Sequence, residues 1–192
     1  MLETFTHDER KTVLRGFNEV RTYSFGDANN IASQGAEEIT TFLLSLPTTV
    51  KVVNVEKNRL YQNKDIDLLW YVRSKKTGEI VKKSIEIKAD TYLSQNYFFE
   101  TVSNTVRNTP GCFLITESDF VFYYFIKTKE LHILPTNEVR NWFLDNQEKF
   151  CEATTSTSGP NRFYYSSKGR KVPKRTAQAN CNITVIDVNP FI

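Results

Sequence analysis

Cysteine and histidine are scarce in this chain, with three and two residues respectively among 192. Cys112, Cys151 and Cys181 are odd in number and far apart, and no CxxC pair or histidine-rich stretch accompanies them. This argues against a zinc ribbon or a disulfide framework and points to reduced thiols in the cytoplasm. His7 and His132 stand alone, and solitary histidines read as structural rather than catalytic. No apolar run approaches the roughly eighteen residues of a membrane span, so no membrane partner is expected. Acids occupy the first ten residues, where an export signal would carry a basic and then an apolar stretch. The chain also lacks a glycine-rich phosphate loop, which removes kinase and nucleotide-hydrolase chemistry.

What remains is an ordinary globular composition, 40% hydrophobic and 24% charged, expected to form one domain over residues 1–192. Fourteen Phe and nine Tyr favour strands. The net charge of +3 is unevenly spread: residues 161–180 hold Arg162, Lys168, Arg170, Lys171, Lys174 and Arg175 and no acid, so this segment carries +6 and the rest of the chain −3.

Hydropathy predicts a short helix over residues 1–20, broken at Gly26, and a second helix after a Ser33 cap with Ala36, Ile39, Leu43 and Leu46 as its apolar stripe. Glu37 and Glu38 border that stripe, and Pro47 ends the helix. A strand follows at residues 50–55. Residues 92–102 read equally as helix or strand. Short apolar runs at 112–116, 120–126 and 131–134 predict strands, and Thr136 is placed to cap a helix over 137–150. Strands at 163–166 and 183–188 would enclose a basic loop, giving a strand-loop-strand extension over 151–192. Lys168, Arg170, Lys171, Lys174 and Arg175 in that loop are candidates for phosphate contacts, against the plainer reading of a solvated tip.

The most informative stretch is 65–90. Ile66, Leu68 and Trp70 alternate with Asp65, Asp67 and Leu69, and a turn at 75–78 leads to Ile85 and Ile87, which alternate with Glu86 and Lys88. Glu86 and Lys88 therefore share a face about 7 Å apart along the strand, beside Asp67. Such a face is either a wet surface carrying an ion pair or a site. Two carboxylates beside apolar neighbours need a compensating cation, and hard divalent ions take one or two carboxylates and keep waters.

Asp67, eighteen intervening residues and then Glu86-Ile87-Lys88 resemble the PD-(D/E)XK nuclease superfamily, including its small phage and cyanobacterial nuclease-like members. The resemblance implies an α/β (α+β) fold of restriction-endonuclease type, an αβββαβ core with a mixed central sheet flanked by helices, over roughly residues 33–126. It implies Mg²⁺ or Mn²⁺ held by Asp67, Glu86 and the carbonyl of Ile87, with Lys88 orienting a metal-bound water or stabilising the transition state. It further implies a DNA endonuclease, with a junction resolvase acting as a homodimer or an inactive DNA-binding protein as the alternatives. Glu37 or Glu38, Asp65, Gln62 and Glu100 are candidates for supporting roles. No Pro precedes the first acid, and Asp65 competes with Asp67 for its place.

Overall fold

The apolar stripe of the first long helix organises one half of the molecule. In the computed structural model, which describes residues 21–158 and 164–192, β1 (Arg21–Ser24) leads into α1 (Phe25–Ser45). This helix begins eight residues ahead of the expected Ser33 cap, because Ile31 extends the stripe of Ile39, Phe42 and Leu43 backwards onto the same core. The helix expected over residues 1–20 lies outside the described residues.

Next come β2 (Thr49–Asn54), the one-turn α2 (Arg59–Gln62), β3 (Leu68–Arg73) and β4 (Ile80–Asp90). The three strands form an antiparallel meander, with Val52 opposite Trp70 and Leu68 opposite Ile85. Strand alternation then sorts the side chains. Leu68, Ile85 and Ile87 turn towards α1, and Leu69 joins Val55 and Ile66 in a small cluster on the other face. Gly35 lets the helix lie directly on β4, since a Cβ there would come within 2.7 Å of Ala89 Cβ.

The chain then leaves this sheet as β5 (Asn96–Asn104), β6 (Thr109–Pro110) and the one-turn α3 (Cys112–Ile115). It returns as β7 (Phe120–Phe125), parallel to β4, and β8 (Glu130–Pro135). The segment 92–102 is thus strand from Asn96 onward, and no long helix crosses between β4 and β7. The aromatics decide this: Tyr97 and Phe99, two residues apart, are both buried with their rings stacked 5.5 Å apart, a strand spacing. The strand expected at 112–116 is a helical turn instead, which buries the adjacent Cys112 and Phe113.

α4 (Thr136–Asn146) follows, with Pro135 at the cap position and Thr136 already inside the helix. β9 (Cys151–Ser158) and β10 (Tyr164–Pro173) then build a second sheet, in the order β1-β9-β10-β5-β6. The basic segment is therefore no loop. Lys168 to Lys171 are paired on both sides, by β9 and by β5, Val172 and Pro173 by β5 alone, and the chain continues into α5 (Lys174–Asn180). Val172 and Ala177 are buried in the main aromatic core, which is why the segment folds inward despite its charge. β11 (Thr184–Asp187) returns to the first sheet beside β8, completing the mixed order β11-β8-β7-β4-β3-β2.

The protein is thus α+β, with a mixed central sheet and several helices. One core lies between the central sheet and α1; a second packs Val121, Tyr123 and Phe125 of β7 against Tyr97, Phe99, Phe113 and Phe143. Fully burying each such side chain stabilises by about 1.5–3 kcal/mol. Among the described residues no helix is long and apolar enough to cross a membrane.

Candidate active site

The even-numbered residues of β4 face away from α1, and this sets the site. Glu86 is buried at 7% exposure while carrying an acid, and Lys88 follows on the same face with its side chain 38% exposed. The Lys88 ammonium lies 3.9 Å from Glu86 Oε1. Asp67 sits just before β3, where its main-chain N–H donates to Ile85 O at 2.9 Å. Its carboxylate then accepts from the N–H of Ile87 at 2.7 Å. Asp67 therefore takes over from the β3 ladder at the point where β3 is absent. The carbonyl of Ile87 points to the same open edge as its N–H, since both groups of a strand residue lie on one side.

Two further acids approach. Asp65 has a positive φ of 47°, and its carbonyl accepts from Thr116 Oγ1 at 2.7 Å, which ties the loop before β3 to the segment after α3. Glu100 comes from β5 and acts on Lys88, Asp65 and Cys112 through its charge. The open edge of β5 reaches the central sheet through Phe98 N–H, which donates to Tyr123 Oη at 3.0 Å; Tyr123 in turn donates to Asp90 Oδ2 at 3.2 Å. Gly111 makes the approach of α3 to β5 possible: a Cβ there would fall 2.2 Å from the Glu100 carbonyl oxygen.

The electrostatics follow from burial. The Glu86 carboxyl is pushed well above the usual carboxylate range by burial and then by the Asp67 charge, with Lys88 opposing and Asp65 adding to the rise. Asp67 is raised by burial, partly offset by the Ile87 N–H and by its hydrogen bond with Glu86. Burial also raises Asp65, against the pull of Lys88. In the protein alone, Glu86 and Asp67 thus favour sharing a proton, with Glu86 as donor. Burial pulls Lys88 down, but Cys112, Glu86 and Glu100 more than offset this and leave it well above its ordinary value. The thiol of Cys112, beside the ammonium, is pushed up by burial to about 12. It is neutral at physiological pH, so its sulfur acts on the ammonium as a hydrogen-bond acceptor rather than as a charge.

Among the described residues no three His, Cys, Asp or Glu side chains are placed to hold a metal ion by themselves. The donors on this edge are the paired carboxylates of Asp67 and Glu86 and, by strand geometry, the Ile87 carbonyl. That set fits a hard divalent cation that keeps several waters, and the raised carboxyls of Glu86 and Asp67 are the ones a cation would relieve.

The other sequence candidates divide clearly. Glu38 lies on α1, across the sheet from Glu86. It pairs with Lys129 at 2.7 Å and accepts from the Tyr124 hydroxyl, so its carboxylate is committed elsewhere and does not join Asp67. Glu37 and Glu38 instead line a polar recess with Gln34, Thr41, Lys129 and Asn189. Gln62 is exposed and donates to the carbonyl of Glu56 at 2.6 Å. Lys174 is buried over the Phe125 ring, 3.3 Å from its centroid, and 4.0 Å from Glu130, so it is a core residue. Arg170 donates to Phe150 O and approaches Glu148 at 3.4 Å. Lys168 pairs with Glu152 at 3.5 Å. Lys171 and Arg175 are exposed. By register Lys171 lies opposite Phe98 and Gly169 opposite Glu100, which puts Lys171 on the Glu100 face.

Cys112 beside Lys88, and Glu56, whose charge raises Asp67, are site neighbours that sequence reading did not single out. No local signal marks either one; both arrive through contacts distant in sequence. His132 is fully buried between Tyr97 Oη at 2.5 Å and Glu130 Oε1 at 2.6 Å, and it bonds neither Asp67 nor Glu86. Comparisons of the chain with protein-family models, with curated proteins and with solved structures find no match.

Proposed function

We propose that this protein is a metal-dependent deoxyribonuclease of the PD-(D/E)XK type. The observation that carries the reading is the convergence of Asp67, Glu86 and Lys88 where β3 gives way to a side chain, with the Ile87 main chain between them. The antiparallel meander followed by a parallel strand, with a helix on the opposite face, supports the αβββαβ comparison in its first half. The crossover departs from that comparison, with β5 and α3 in place of the second helix.

Asp67, Glu86 and the carbonyl of Ile87 would hold Mg²⁺ or Mn²⁺. When bound, the ion supplies polarisation of a phosphate oxygen and a lower pKa for water. The chain's own residues do the rest. The Ile87 N–H fixes the Asp67 carboxylate in place, and burial removes Glu86 from competing water. Lys88, held as an ammonium, donates to the charge that grows on phosphorus oxygens, and it is not the base. Hydrolysis adds the oxygen of water to phosphorus and breaks a phosphorus–oxygen bond to the sugar, leaving a phosphate monoester and a hydroxyl.

The test is cleavage of plasmid, linear, single-stranded and branched DNA in Mg²⁺, Mn²⁺ or EDTA by wild type, Asp67→Asn, Glu86→Gln and Lys88→Met. Divalent-dependent cutting that all three substitutions abolish is expected. Preference for branched DNA would narrow the reading to a resolvase. Binding without cutting would leave a DNA-binding protein on a nuclease-like scaffold.

A further inference from the structure

The face of the central sheet that presents Glu86 continues past Ser84, whose hydroxyl donates to the Asp119 carboxylate at 2.9 Å, to a group of exposed cations. On β4 the residues of this face run Lys88, Glu86, Ser84, Lys82; on β3 they are Leu69, Tyr71, Arg73; on β2, Val53 and Lys51. Register places Lys82 directly opposite Tyr71, and Tyr71 directly opposite Lys51. Two lysines therefore flank one tyrosine across three adjacent strands. Lys51, Lys82 and Arg73 are all exposed. Lys82 stands four residues from Glu86, about 13 Å at the rise of a strand.

Lys51 and Lys82 stand two strand spacings, about 10 Å, apart on either side of Tyr71. Among the described residues, Lys51, Lys82 and Arg73 form no ion pair. The C-terminal basic segment differs. Lys168, Arg170 and Lys174 each lie within 4.0 Å of a glutamate. Affinity for a phosphate backbone comes from cations that release condensed counterions, and a lysine already paired with a carboxylate contributes little of that.

We infer that the row Lys51–Tyr71–Lys82, extended by Arg73, is the track on which the DNA backbone lies as it enters the Asp67–Glu86 site. The inference rests on the nuclease reading for its ligand. The lysines hold phosphates, and the half-buried Tyr71 between them offers a ring edge to the sugar. This surface, rather than the glutamate-paired Lys168, Arg170 and Lys174, sets the salt dependence of binding.

The experiment measures fluorescence anisotropy of a labelled short DNA duplex with the full chain in EDTA over a series of KCl concentrations. Wild type is compared with Lys51→Gln/Lys82→Gln and with Lys168→Gln, and circular dichroism melts confirm that each is folded. The double variant is expected to bind about tenfold or more weakly at low salt, with a log–log salt slope shallower by about 2; Lys168→Gln is expected to stay near wild type. A double variant with wild-type affinity and slope, or a wild type with no measurable affinity, overturns the inference. Cleavage in Mg²⁺, run in parallel, separates the two readings. Row-dependent binding without cutting keeps the track and removes the nuclease, whereas cutting unaffected by the double substitution keeps the nuclease and removes the track.

Discussion

The main-chain N–H of Ile87 donates to the carboxylate of Asp67 at 2.7 Å, so a side chain occupies the ladder position that β3 leaves vacant. This one bond fixes an acid against the strand that carries Glu86 and Lys88. Burial then does the rest, since Glu86 has little water left to share its charge.

Stability of the metal-free protein is therefore expected to depend on pH through Glu86. Its carboxyl is raised well above the ordinary range, first by burial and then by Asp67. The folded state thus holds this proton more tightly than the unfolded chain does. Stability from this group is full below the unfolded carboxylate value and is lost as pH rises through the folded one. Glu86→Gln cannot ionise, so it flattens that slope and raises Tm at neutral pH, by about 2–4 °C per kcal/mol recovered. Thermal melts in EDTA between roughly pH 5 and pH 8 check it, and equal slopes for both proteins would remove the claim.

Lys88 should act as a fixed cation. Its raised pKa keeps it protonated through the neutral and mildly alkaline range, even after the opposing effect of burial. Lys88→Met is expected to lower kcat for Mg²⁺-dependent cleavage by about 10²–10³-fold, with the shape of the pH profile unchanged. Lys88→Arg, which keeps the charge, should recover part of the loss. Disappearance of a pH-dependent limb in the Met variant would instead identify Lys88 as a base.

For Lys174 the expected phenotype is unfolding rather than loss of binding. Its ammonium sits 3.3 Å from the Phe125 ring centroid and 4.0 Å from Glu130, inside the aromatic core. Lys174→Ala removes both contacts and leaves Glu130 without that cation, a loss on the order of 1–3 kcal/mol. Urea denaturation should show it, while DNA affinity of the folded variant stays within about twofold of wild type. Weakened binding with unchanged stability would return Lys174 to the surface.

Gly111 is predicted to tolerate no side chain. A Cβ would fall 2.2 Å from Glu100 O and 2.7 Å from Thr101 N, both backbone atoms that cannot swing aside. Gly111→Ala should cost about 1–3 kcal/mol or more, as overpacking does. It should also perturb the wall that carries Glu100 and Cys112, so cleavage falls together with Tm. An alanine variant with wild-type melting would show that β5 and α3 can separate freely.

Local structure is the part most fully written in residue order. A strand alternates every two residues, so Glu86 and Lys88 could be grouped on one face of β4 before any contact was known, whereas Asp67, expected inside the strand, lies just before β3 and reaches the Ile87 N–H through its side chain. Where two patterns competed, tertiary packing chose. The aromatics at 97–99 served a strand because Phe99 stacks on Phe113 and Tyr97 meets Tyr123 edge to face. Residues 168–173 became a strand because Val172 had a core to enter.

What the sequence determined by itself, then, is which side chains share a face and where charge is concentrated, because both depend only on residue order and backbone period. Only the tertiary structure decided which face α1 covers, and thus that Glu86 and Lys88 lie opposite Glu38. It also decided that Lys168, Arg170 and Lys174 meet glutamates while, among the described residues, Lys51 and Lys82 do not. Those outcomes depend on partners at distant positions, and the free energy of a charge is set by what surrounds it rather than by its neighbours along the chain.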